Sequence, residues 1–459
     1  MRSAVLSMLA VFMACAAAAQ TPSANPTPND LRADVQTFEA QVLDVDRSFS
    51  PAARAEAKAR LRALETRLDA LGPLEAGVEL CRIAALADNG HTGCMSPVPA
   101  QPVDVGFYPL NSGIYVFSAA GREADLLGGR LLAIDGRPIG EVQKAVQTLR
   151  GGYPAFRDLN TVYAYSRPAL LHALGVAESD QAAVYRIRTP AGRVVERSLR
   201  ITEGNAPAKG ILSPERTPWS WRDLGTPLRW RDAPAHDAIV VQLRSNLDQP
   251  GHPLGEFLTE IERQRVALGR STVILDIRSN GGGDLMLTRE FLAAWPGKLG
   301  PHGRIIVLIG PRTFSAGIAD AAYLKQAGGR QVILVGQAPG DGLMFFAEGR
   351  PTRLTAVGLV VQPATARDDF EDGCRRYADC FAGVAQPGGP TATPAAIAHL
   401  IERMPLQVAS LDPDVAAPTT IADYLTGRDS GLVAALDLAR PCARSACPTE
   451  TRALAGPTP

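Results

Sequence analysis

Apolar residues in the first part of the chain recur every three or four positions, which is the spacing of one face of a helix. The apolar positions of the first such run are Leu31, Val35, Phe38 and Val42. A second run follows Ser50 and Pro51, a pair that is typical of a helix start, because serine caps the N-terminus and proline fits the first turn. The pattern predicts a small helical domain from about residue 30 to residue 87.

From about residue 99 to residue 203 the pattern changes to short apolar runs separated by turns. Residues 113–117 favour a strand, and residues 126–142 predict a strand, a turn at Asp135 and Gly136, and a helix from about Ile139. Residues 184–187 and 194–199 indicate a closing hairpin around Ala191 and Gly192. This part of the chain is therefore predicted to be rich in β-structure.

From Ala238 onward, β-branched apolar runs alternate with helical patterns. The runs are AIVVQLRSN, STVILDIRSNGGGD at residues 271–284, RIIVLIGPRTFSAGIADAAYLKQAGG at residues 304–329, and QVILVG at residues 331–336. A helical segment at about residues 253–268 separates the first two. Strands alternating with helices are typical of βαβ units, so we expect an α/β layer with a parallel sheet.

Two turns in this layer carry candidate chemistry. Gly281, Gly282 and Gly283 follow one strand, and their N–H groups can approach a ligand with no Cβ in the way. Ser315 stands at the start of the helix after the next strand, where developing negative charge is favoured. Either turn alone is more often an ordinary turn or an N-cap. Together, in adjacent units, they predict a serine nucleophile facing an oxyanion site.

A serine nucleophile needs a base. Among six histidines, His91 is the best candidate, because its segment LADNGHTGC follows a helical pattern and lies between Cys81 and Cys94. A disulfide between those cysteines would hold the loop rigid, as an aimed base requires. The competing interpretation is an ordinary histidine on a surface loop.

Composition narrows the class of protein. The chain has 459 residues, enough for two or three domains, and its formal net charge is zero, with no basic run that would indicate nucleic-acid binding. Residues 1–20 predict a secretory signal peptide: Arg2, an apolar run, then small residues before Gln20. We expect a periplasmic or secreted protein with no integral membrane span. Phe12 fits the lipoprotein box poorly, so lipid anchoring at Cys15 is not expected.

The remaining cysteines fall into neighbouring pairs: Cys81 with Cys94, Cys374 with Cys380, and Cys442 with Cys447. An even number of cysteines in an exported chain favours disulfides, and we expect these three local ones among the fifteen pairings that six cysteines allow. A zinc site is the alternative, but no CxxC or HExxH spacing supports it. No metal and no cofactor are therefore expected.

Several of these segments together resemble a known family. The runs ILDIRSNGGG, TFSAG and VGQ at residues 335–337 resemble the core of the tail-specific, or C-terminal-processing, serine proteases. NGHT at residues 89–92 is similar to a motif of their tricorn-core and interphotoreceptor retinoid-binding branch. LLGGRLLAIDGRPIGEV resembles the PDZ-like module that these proteins carry. The resemblance covers about residues 30–430.

The resemblance implies roles for individual residues. Ser315 would be the nucleophile and His91 the general base. The N–H of Ala316, together with that of Gly281 or Gly282, would form the oxyanion hole. The fold would be α/β, with a crotonase/ClpP-like catalytic domain, an N-terminal helical domain and a PDZ-like β-rich domain. The partner would be a polypeptide substrate, bound through its C-terminus by strand addition to the PDZ-like module near Gly113.

These expectations divide the chain into five parts. Residues 1–20 form the signal peptide, and residues 21–98 the N-terminal helical domain. Residues 99–205 form the PDZ-like domain, and residues 206–440 the protease-like α/β domain. Residues 441–459 form a tail held by Cys442 and Cys447.

The chain also departs from the family. The processing proteases use a Ser–Lys pair, and Asp341 stands where that lysine would be, in VGQAPGDG. Lys325 lies ten residues beyond Ser315 on the same predicted helix, about 15 Å further along its axis, and Lys298 lies beside a turn before the serine's strand. A Ser–His pair is thus favoured. The residue that orients His91 stays open among four carboxylates: Asp88, Asp341, Glu348 and Glu371.

The sequence therefore favours an exported serine peptidase that forms an acyl-enzyme at Ser315. The alternatives are a non-catalytic protein that binds apolar ligands or peptides on the same scaffold, and an adaptor that acts through the PDZ-like module alone. The altered VGQAPGDG turn keeps the binding-protein hypothesis open.

Overall fold

The computed structural model describes residues 26–95, 98–201, 209–373 and 407–440. Several predictions lie outside the described residues: the signal peptide at residues 1–20, the tail at residues 441–459, and the cysteines Cys15, Cys374, Cys380, Cys442 and Cys447. The predicted disulfide between Cys81 and Cys94 is present.

The first part of the chain is helical, as its apolar spacing predicts. The helices are α1 (Pro28–Phe38), which continues as a π-helical turn (Glu39–Leu43), α2 (Pro51–Glu65) and α3 (Pro73–Ala85). The side chains of Thr27 and Ser50 cap α1 and α2 by accepting N–H groups of the first turn, and a proline occupies the first turn of each helix. The helix start predicted at Ser50 and Pro51 is confirmed.

The next part is a mixed β-rich segment. Its strands are β1 (Gly93–Cys94), β2 (Val105–Leu110), β3 (Gly113–Ala119), β4 (Arg130–Ile134), β5 (Arg137–Pro138), β6 (Ala182–Arg188), β7 (Val194–Arg200) and β8 (Lys209–Gly210). Its helices are α4 (Ile139–Gln147), α5 (Pro154–Thr161) and α6 (Pro168–Ala173). Strands β2, β3, β4, β6 and β7 form an antiparallel sheet in that order, with β5 beside β4 and β8 beside β3. The predicted strand, turn and helix of residues 126–142 and the β6–β7 hairpin are confirmed.

The remainder is the predicted α/β layer. Its strands are β9 (Leu228–Ala233), β10 (Ala238–Leu243), β11 (Thr272–Asp276), β12 (Arg304–Ile309), β13 (Val332–Gly336), β14 (Met344–Ala347), β15 (Thr352–Leu354), β16 (Leu359–Gln362), β17 (Ala366–Asp369) and β18 (Val415–Ala416). Its helices are α7 (Leu254–Ala267), α8 (Met286–Lys298), α9 (Ala316–Gly328), α10 (Ile421–Thr426) and α11 (Ser430–Ala439).

One sheet organises this layer. Its order is β18, β13, β12, β11, β10 and β9, and its pairs are parallel except for that of the edge strand β9. The register places Val240, Ile274, Ile306 and Ile333 in one row across the four central strands. Helices α7, α8 and α9 cover one face and α11 covers the other, so each face has its own apolar core. The carboxyl ends of β11 and β12 lead directly into the two glycine- and serine-bearing turns.

A third apolar core joins segments that are distant in sequence. The N-terminal helices and the β-rich segment bury their apolar side chains in a single cluster, which also contains Leu354, Leu359 and Val361 of β15 and β16. Strand β16 pairs with β1 and β15 in a separate three-stranded sheet. The chain therefore returns from the α/β layer to the N-terminal helices, and this return brings the His91 loop to the layer.

The mixed α/β class is confirmed by these sheets and helices. Within the described residues, none of the helices combines the length and the apolar character needed to cross a bilayer.

Candidate active site

Ser315 lies in a tight turn between β12 and α9, where it is the N-cap residue of α9. Its φ of 54° and ψ of −125° place it in a region that residues with a side chain seldom occupy, and such backbone conformations cost about 1–3 kcal/mol. Thr313 closes the turn: its hydroxyl accepts the Gly310 N–H at 3.0 Å and donates to the Ile277 carbonyl at 2.9 Å. The strained backbone presents a half-buried serine hydroxyl at a helix N-terminus.

Gly282 faces this serine directly. A Cβ built on Gly282 would lie 2.6 Å from Ser315 Cβ, 3.0 Å from Ser315 Oγ and 3.2 Å from the Ala316 nitrogen. The φ of Gly282 is +108°, which L-residues rarely adopt. Only glycine fits here, so the two predicted turns do meet, as the pairing of adjacent parallel strands requires.

The backbone N–H groups at this junction differ in whether they already donate a hydrogen bond. The N–H of Ala316, the first residue of α9, and that of Gly281 have no hydrogen-bond acceptor within the described part of the chain. The Gly282 N–H donates instead to the side-chain oxygen of Asn280 at 2.9 Å. Of the two glycine donors considered from the sequence, Gly281 is the one with an unengaged N–H.

Asn280 joins the two turns. Its backbone carbonyl accepts the Phe314 N–H at 2.9 Å, while its side-chain oxygen accepts the Gly282 N–H. A Cβ on Gly317 would lie 2.7 Å from the same carbonyl, so the first turn of α9 packs directly on Asn280. One buried residue thus sets the position of the glycine turn relative to Ser315.

A buried polar network holds Asn280 in turn. Its amide nitrogen donates to Asn246 at 2.7 Å and to Asp320 at 3.3 Å, and Asp320 also accepts from Thr288 at 2.6 Å and from Asn246 at 2.9 Å. All four side chains are fully buried, and burial raises the pKa of Asp320 to about 7. Sequence reasoning missed this network, although Asn280 and Asp320 lie within the two motifs.

The loop that carries His91 is held on several sides. Arg150, itself buried, donates to the Gly90 carbonyl at 2.7 Å and to the Cys94 carbonyl at 2.8 Å. Asn89 pairs with the backbone of Phe346 in β14, donating to its carbonyl at 3.0 Å and accepting its N–H at 3.3 Å. An aspartate at position 89 could not make the first of these bonds, which explains an asparagine at this site.

The His91 ring lies in an aromatic stack. It stacks on Phe314 at a centroid distance of 4.3 Å and on Phe345 at 5.0 Å. Both ring nitrogens are buried and have no hydrogen-bond partner among the described residues. Burial, together with the nearby Arg150 charge, lowers the pKa of His91 to about 3, so the imidazole is neutral at physiological pH. His91 therefore reaches the residue next to Ser315 but makes no hydrogen bond to the serine in this structure.

Asp341 lies beside the same loop. Its Oδ1 accepts the Gly342 N–H at 2.9 Å, whereas its buried Oδ2 has no partner among the described residues. A Cβ on Gly90 would lie 2.9 Å from that oxygen and 2.7 Å from the Phe314 ring. Burial raises the pKa of Asp341 to about 6, although the N–H groups of Gly342 and Gly90 oppose this shift.

The other carboxylates considered from the sequence are placed differently. Asp88 accepts the Gly152 N–H at 3.2 Å and pairs with Arg157. Glu348 and Glu371 are exposed.

The two lysines that could have served Ser315 point elsewhere. Lys325 donates to Asp414 at 2.9 Å, and the Lys298 nitrogen lies 4.9 Å from the centroid of the Phe291 ring. Neither lysine contacts the nucleophile turn through these groups.

A cavity of about 360 Å³ lies between the β-rich segment and the α/β layer. Its lining includes Tyr108, Gly113, Arg130, Trp221, Arg312 and Gln337. Gln337 donates to Asn111 at 2.6 Å and the Arg312 guanidinium lies 5.6 Å from the Tyr108 ring centroid, so both segments close the cavity. Arg130 and Arg312 form no ion pair with any described carboxylate.

Comparison with protein-family models gives no match, and comparison with curated proteins gives none either. Solved structures do match. Mature CPAF in complex with lactacystin has a TM-score of 0.53 at 13% identity, over 90% of this chain and 97% of that one. A serine-to-alanine mutant of CPAF has a TM-score of 0.53 at 14% identity, over 89% and 96% of the two chains.

The photosystem II D1 C-terminal processing protease also matches, with a TM-score of 0.33 at 13% identity, over 88% of this chain and 98% of that one. Identities this low show the fold alone. The chain has the fold of CPAF, and the resemblance to the tail-specific proteases is confirmed at the level of the fold.

Proposed function

We propose that the chain is an exported serine peptidase that hydrolyses peptide bonds through an acyl-enzyme at Ser315, with His91 as general base. The observation that carries the proposal is the junction of Gly282, Ser315 and Ala316, where a strained serine hydroxyl faces a glycine turn with unengaged N–H groups nearby. A reacting carbonyl placed there would meet both a nucleophile and oxyanion donors.

The chemistry follows from these positions. Ser315 Oγ attacks the substrate carbonyl carbon while His91 takes the hydroxyl proton. The N–H groups of Ala316 and Gly281 stabilise the resulting oxyanion, and one such donor is typically worth about 3 kcal/mol of barrier. His91 then returns the proton to the leaving amine. Water hydrolyses the ester by the same route.

This mechanism requires His91 to turn toward Ser315, because its ring nitrogens make no hydrogen bond in the present arrangement. The ring already stacks on Phe314, the residue before the nucleophile, so it lies beside the nucleophile turn. Hydrogen bonds at catalytic sites without substrate are often long or misaligned and tighten when substrate is present.

Substrate recognition is proposed for the cavity beside Gly113. In this proposal the β-rich segment is a PDZ-like module, and the α/β layer is a crotonase/ClpP-like catalytic domain. A peptide that adds to the sheet at its edge strand β2 would place its C-terminal carboxylate near the loop before Gly113, where Arg130 and Arg312 lack carboxylate partners among the described residues. Both cations favour a negatively charged peptide end.

Export is supported by the predicted signal peptide and by the disulfide between Cys81 and Cys94, because disulfides persist in oxidising compartments. The proposed location is the periplasm or the extracellular medium.

A second candidate function is a binding protein for peptides or apolar ligands on the same scaffold. The disengaged His91 ring is the observation that favours it, because an inactive site needs no Ser–His hydrogen bond.

Labelling with a fluorophosphonate separates the two functions. Purified, oxidised protein is treated with the probe, and the modified peptide is mapped by mass spectrometry. An adduct on Ser315 that is lost in Ser315→Ala and strongly reduced in His91→Ala supports the peptidase. Folded protein that yields no adduct contradicts it and favours the binding protein. Lactacystin, the compound with which CPAF was solved, is a second ligand to test.

A further inference from the structure

Two buried polar groups that lack hydrogen-bond partners among the described residues lie next to Gly90. One is the His91 ring, both of whose nitrogens lack a hydrogen bond among the described residues, and the other is Asp341 Oδ2. The oxygen lies so close to Gly90 that a Cβ on this glycine would be 2.9 Å away. A buried polar group without a hydrogen bond destabilises the fold, and these two groups are complementary as donor and acceptor.

The turn that carries Asp341 is attached to the nucleophile turn. The Gly340 N–H donates to the Thr313 carbonyl at 2.9 Å, and a Cβ on Gly340 would lie 3.3 Å from the Phe314 ring. Asp341 Oδ1 is occupied by the Gly342 N–H, which leaves Oδ2 as the oxygen available to a new donor. Asp341, Ser315 and the His91 loop thus converge on Phe314.

The geometry points to Asp341 as the positioning residue of His91, holding the imidazole by one ring nitrogen while the other faces Ser315. The inference rests on the proposed peptidase function and adds the third member of its proton-transfer chain. A carboxylate in this role fixes the tautomer and stabilises the imidazolium that forms when the serine proton is taken.

The electrostatics of the site agree with such a pair. Burial disfavours the charged form of each group alone, raising the pKa of Asp341 and lowering that of His91. A hydrogen bond between them relieves both penalties, since the opposite charges stabilise each other. The rival Asp88 already binds Arg157 and the Gly152 N–H, and Glu348 and Glu371 are exposed.

The first test compares Asp341→Asn with the matched change Asp88→Asn. Both variants remove one carboxylate near the His91 loop and keep its size. The measured quantities are the maximal inactivation rate with a fluorophosphonate, the probe concentration at half-maximal rate, and their pH profiles. In a Ser–His–Asp triad, asparagine in place of the aspartate lowers the catalytic rate about 10⁴-fold. We therefore expect the maximal inactivation rate of Asp341→Asn to fall by about 10³- to 10⁴-fold, with the probe concentration at half-maximal rate unchanged. We expect a change of a few-fold at most for Asp88→Asn. A rate for Asp341→Asn within a few-fold of the parent overturns the inference.

The second test does not depend on turnover. The ring-nitrogen resonances of His91 are recorded by NMR at pH 7 on isotope-labelled Ser315→Ala protein and are assigned by their disappearance in His91→Phe. A carboxylate that accepts a hydrogen bond from one ring nitrogen fixes the neutral imidazole in one tautomer, so adding Asp341→Asn should change the tautomer populations, whereas Asp88→Asn should not. Ring-nitrogen shifts that Asp341→Asn leaves unchanged overturn the inference. Absence of a Ser315 adduct in the parent overturns the proposed function instead, while these shifts still decide whether the two residues are paired.

Discussion

The imidazole of His91 stacks on the ring of Phe314 with their centroids 4.3 Å apart, and Phe314 immediately precedes Ser315. The histidine comes from the N-terminal part of the chain and the serine from the α/β layer. The stack therefore fixes the relation between two parts of the protein at the point where the proposed chemistry occurs.

Stability should depend on pH through His91. Burial lowers the pKa of His91 in the folded protein to about 3, while the unfolded chain retains a value near 6.5. Between these values the unfolded state binds more protons, so His91 destabilises the fold progressively as pH falls from about 6.5 toward 3. In His91→Phe, which can keep the stack, this contribution is lost. The difference in melting temperature between variant and parent should grow in favour of the variant as pH falls from 7 to 5. A pH-independent difference would show that His91 titrates normally.

Replacing Gly282 with alanine should abolish labelling of Ser315. The new Cβ would lie 2.6 Å from Ser315 Cβ, and φ at this position is +108°. Gly251 is a matched control, because its φ is also positive, at +73°, yet a Cβ there has no atom within 4 Å. Gly251→Ala should lower the stability of the fold only by the backbone strain, about 1–2 kcal/mol, and its Ser315 should be labelled at the parent rate. Labelling rates are compared at a temperature at which both variants are folded. Normal labelling of Gly282→Ala would refute the close contact.

Removing the side chain of Asn280 should slow acylation of Ser315 by about 100-fold. The glycine turn that carries a proposed oxyanion donor would lose its support, and the loss of one donor lowers the rate by about that factor. Asn280→Ala frees the Gly282 N–H and deprives Asn246 and Asp320 of a donor. The control is Gln242→Ala, which removes another buried amide that contacts Asp276 and Ser220 but neither turn. Maximal inactivation rates and amide hydrogen exchange at residues 281–283 are measured for both. Equal rates for the two variants would mean that Asn280 acts on stability alone.

Loss of the disulfide should weaken the placement of His91. Cys81 in α3 and Cys94 in β1 enclose the loop that carries it. In the chain-entropy model, closing a loop of this length contributes about 3 kcal/mol, so the double variant Cys81→Ala/Cys94→Ala should melt at a lower temperature. At a low temperature at which the variant is still folded, its Ser315 should be labelled more slowly than that of the parent. If labelling is unaffected under those conditions, Arg150 and Asn89 suffice to hold the loop.

Much of the architecture follows from sequence pattern. The apolar spacing of residues 31–42, the Ser50–Pro51 start, the β6–β7 hairpin and the alternation after Ala238 each describe one element and its neighbour. Such patterns arise from local backbone preferences and from the burial of one face of an element. A short segment of sequence is therefore enough to predict them. The apposition of Gly282 and Ser315 could also be expected, because adjacent parallel strands bring their carboxyl-end turns together.

The tertiary structure alone decided the relations between distant segments. Strands β15 and β16 return to the N-terminal core, Asn89 binds Phe346, and Asp341 reaches Gly90. Asn280 and Asp320 were visible in the motifs, but their bond depends on how α9 packs on the glycine turn. The reason is physical: spacing along the chain records which face of an element is buried, whereas a contact across hundreds of residues depends on how the packed layers meet.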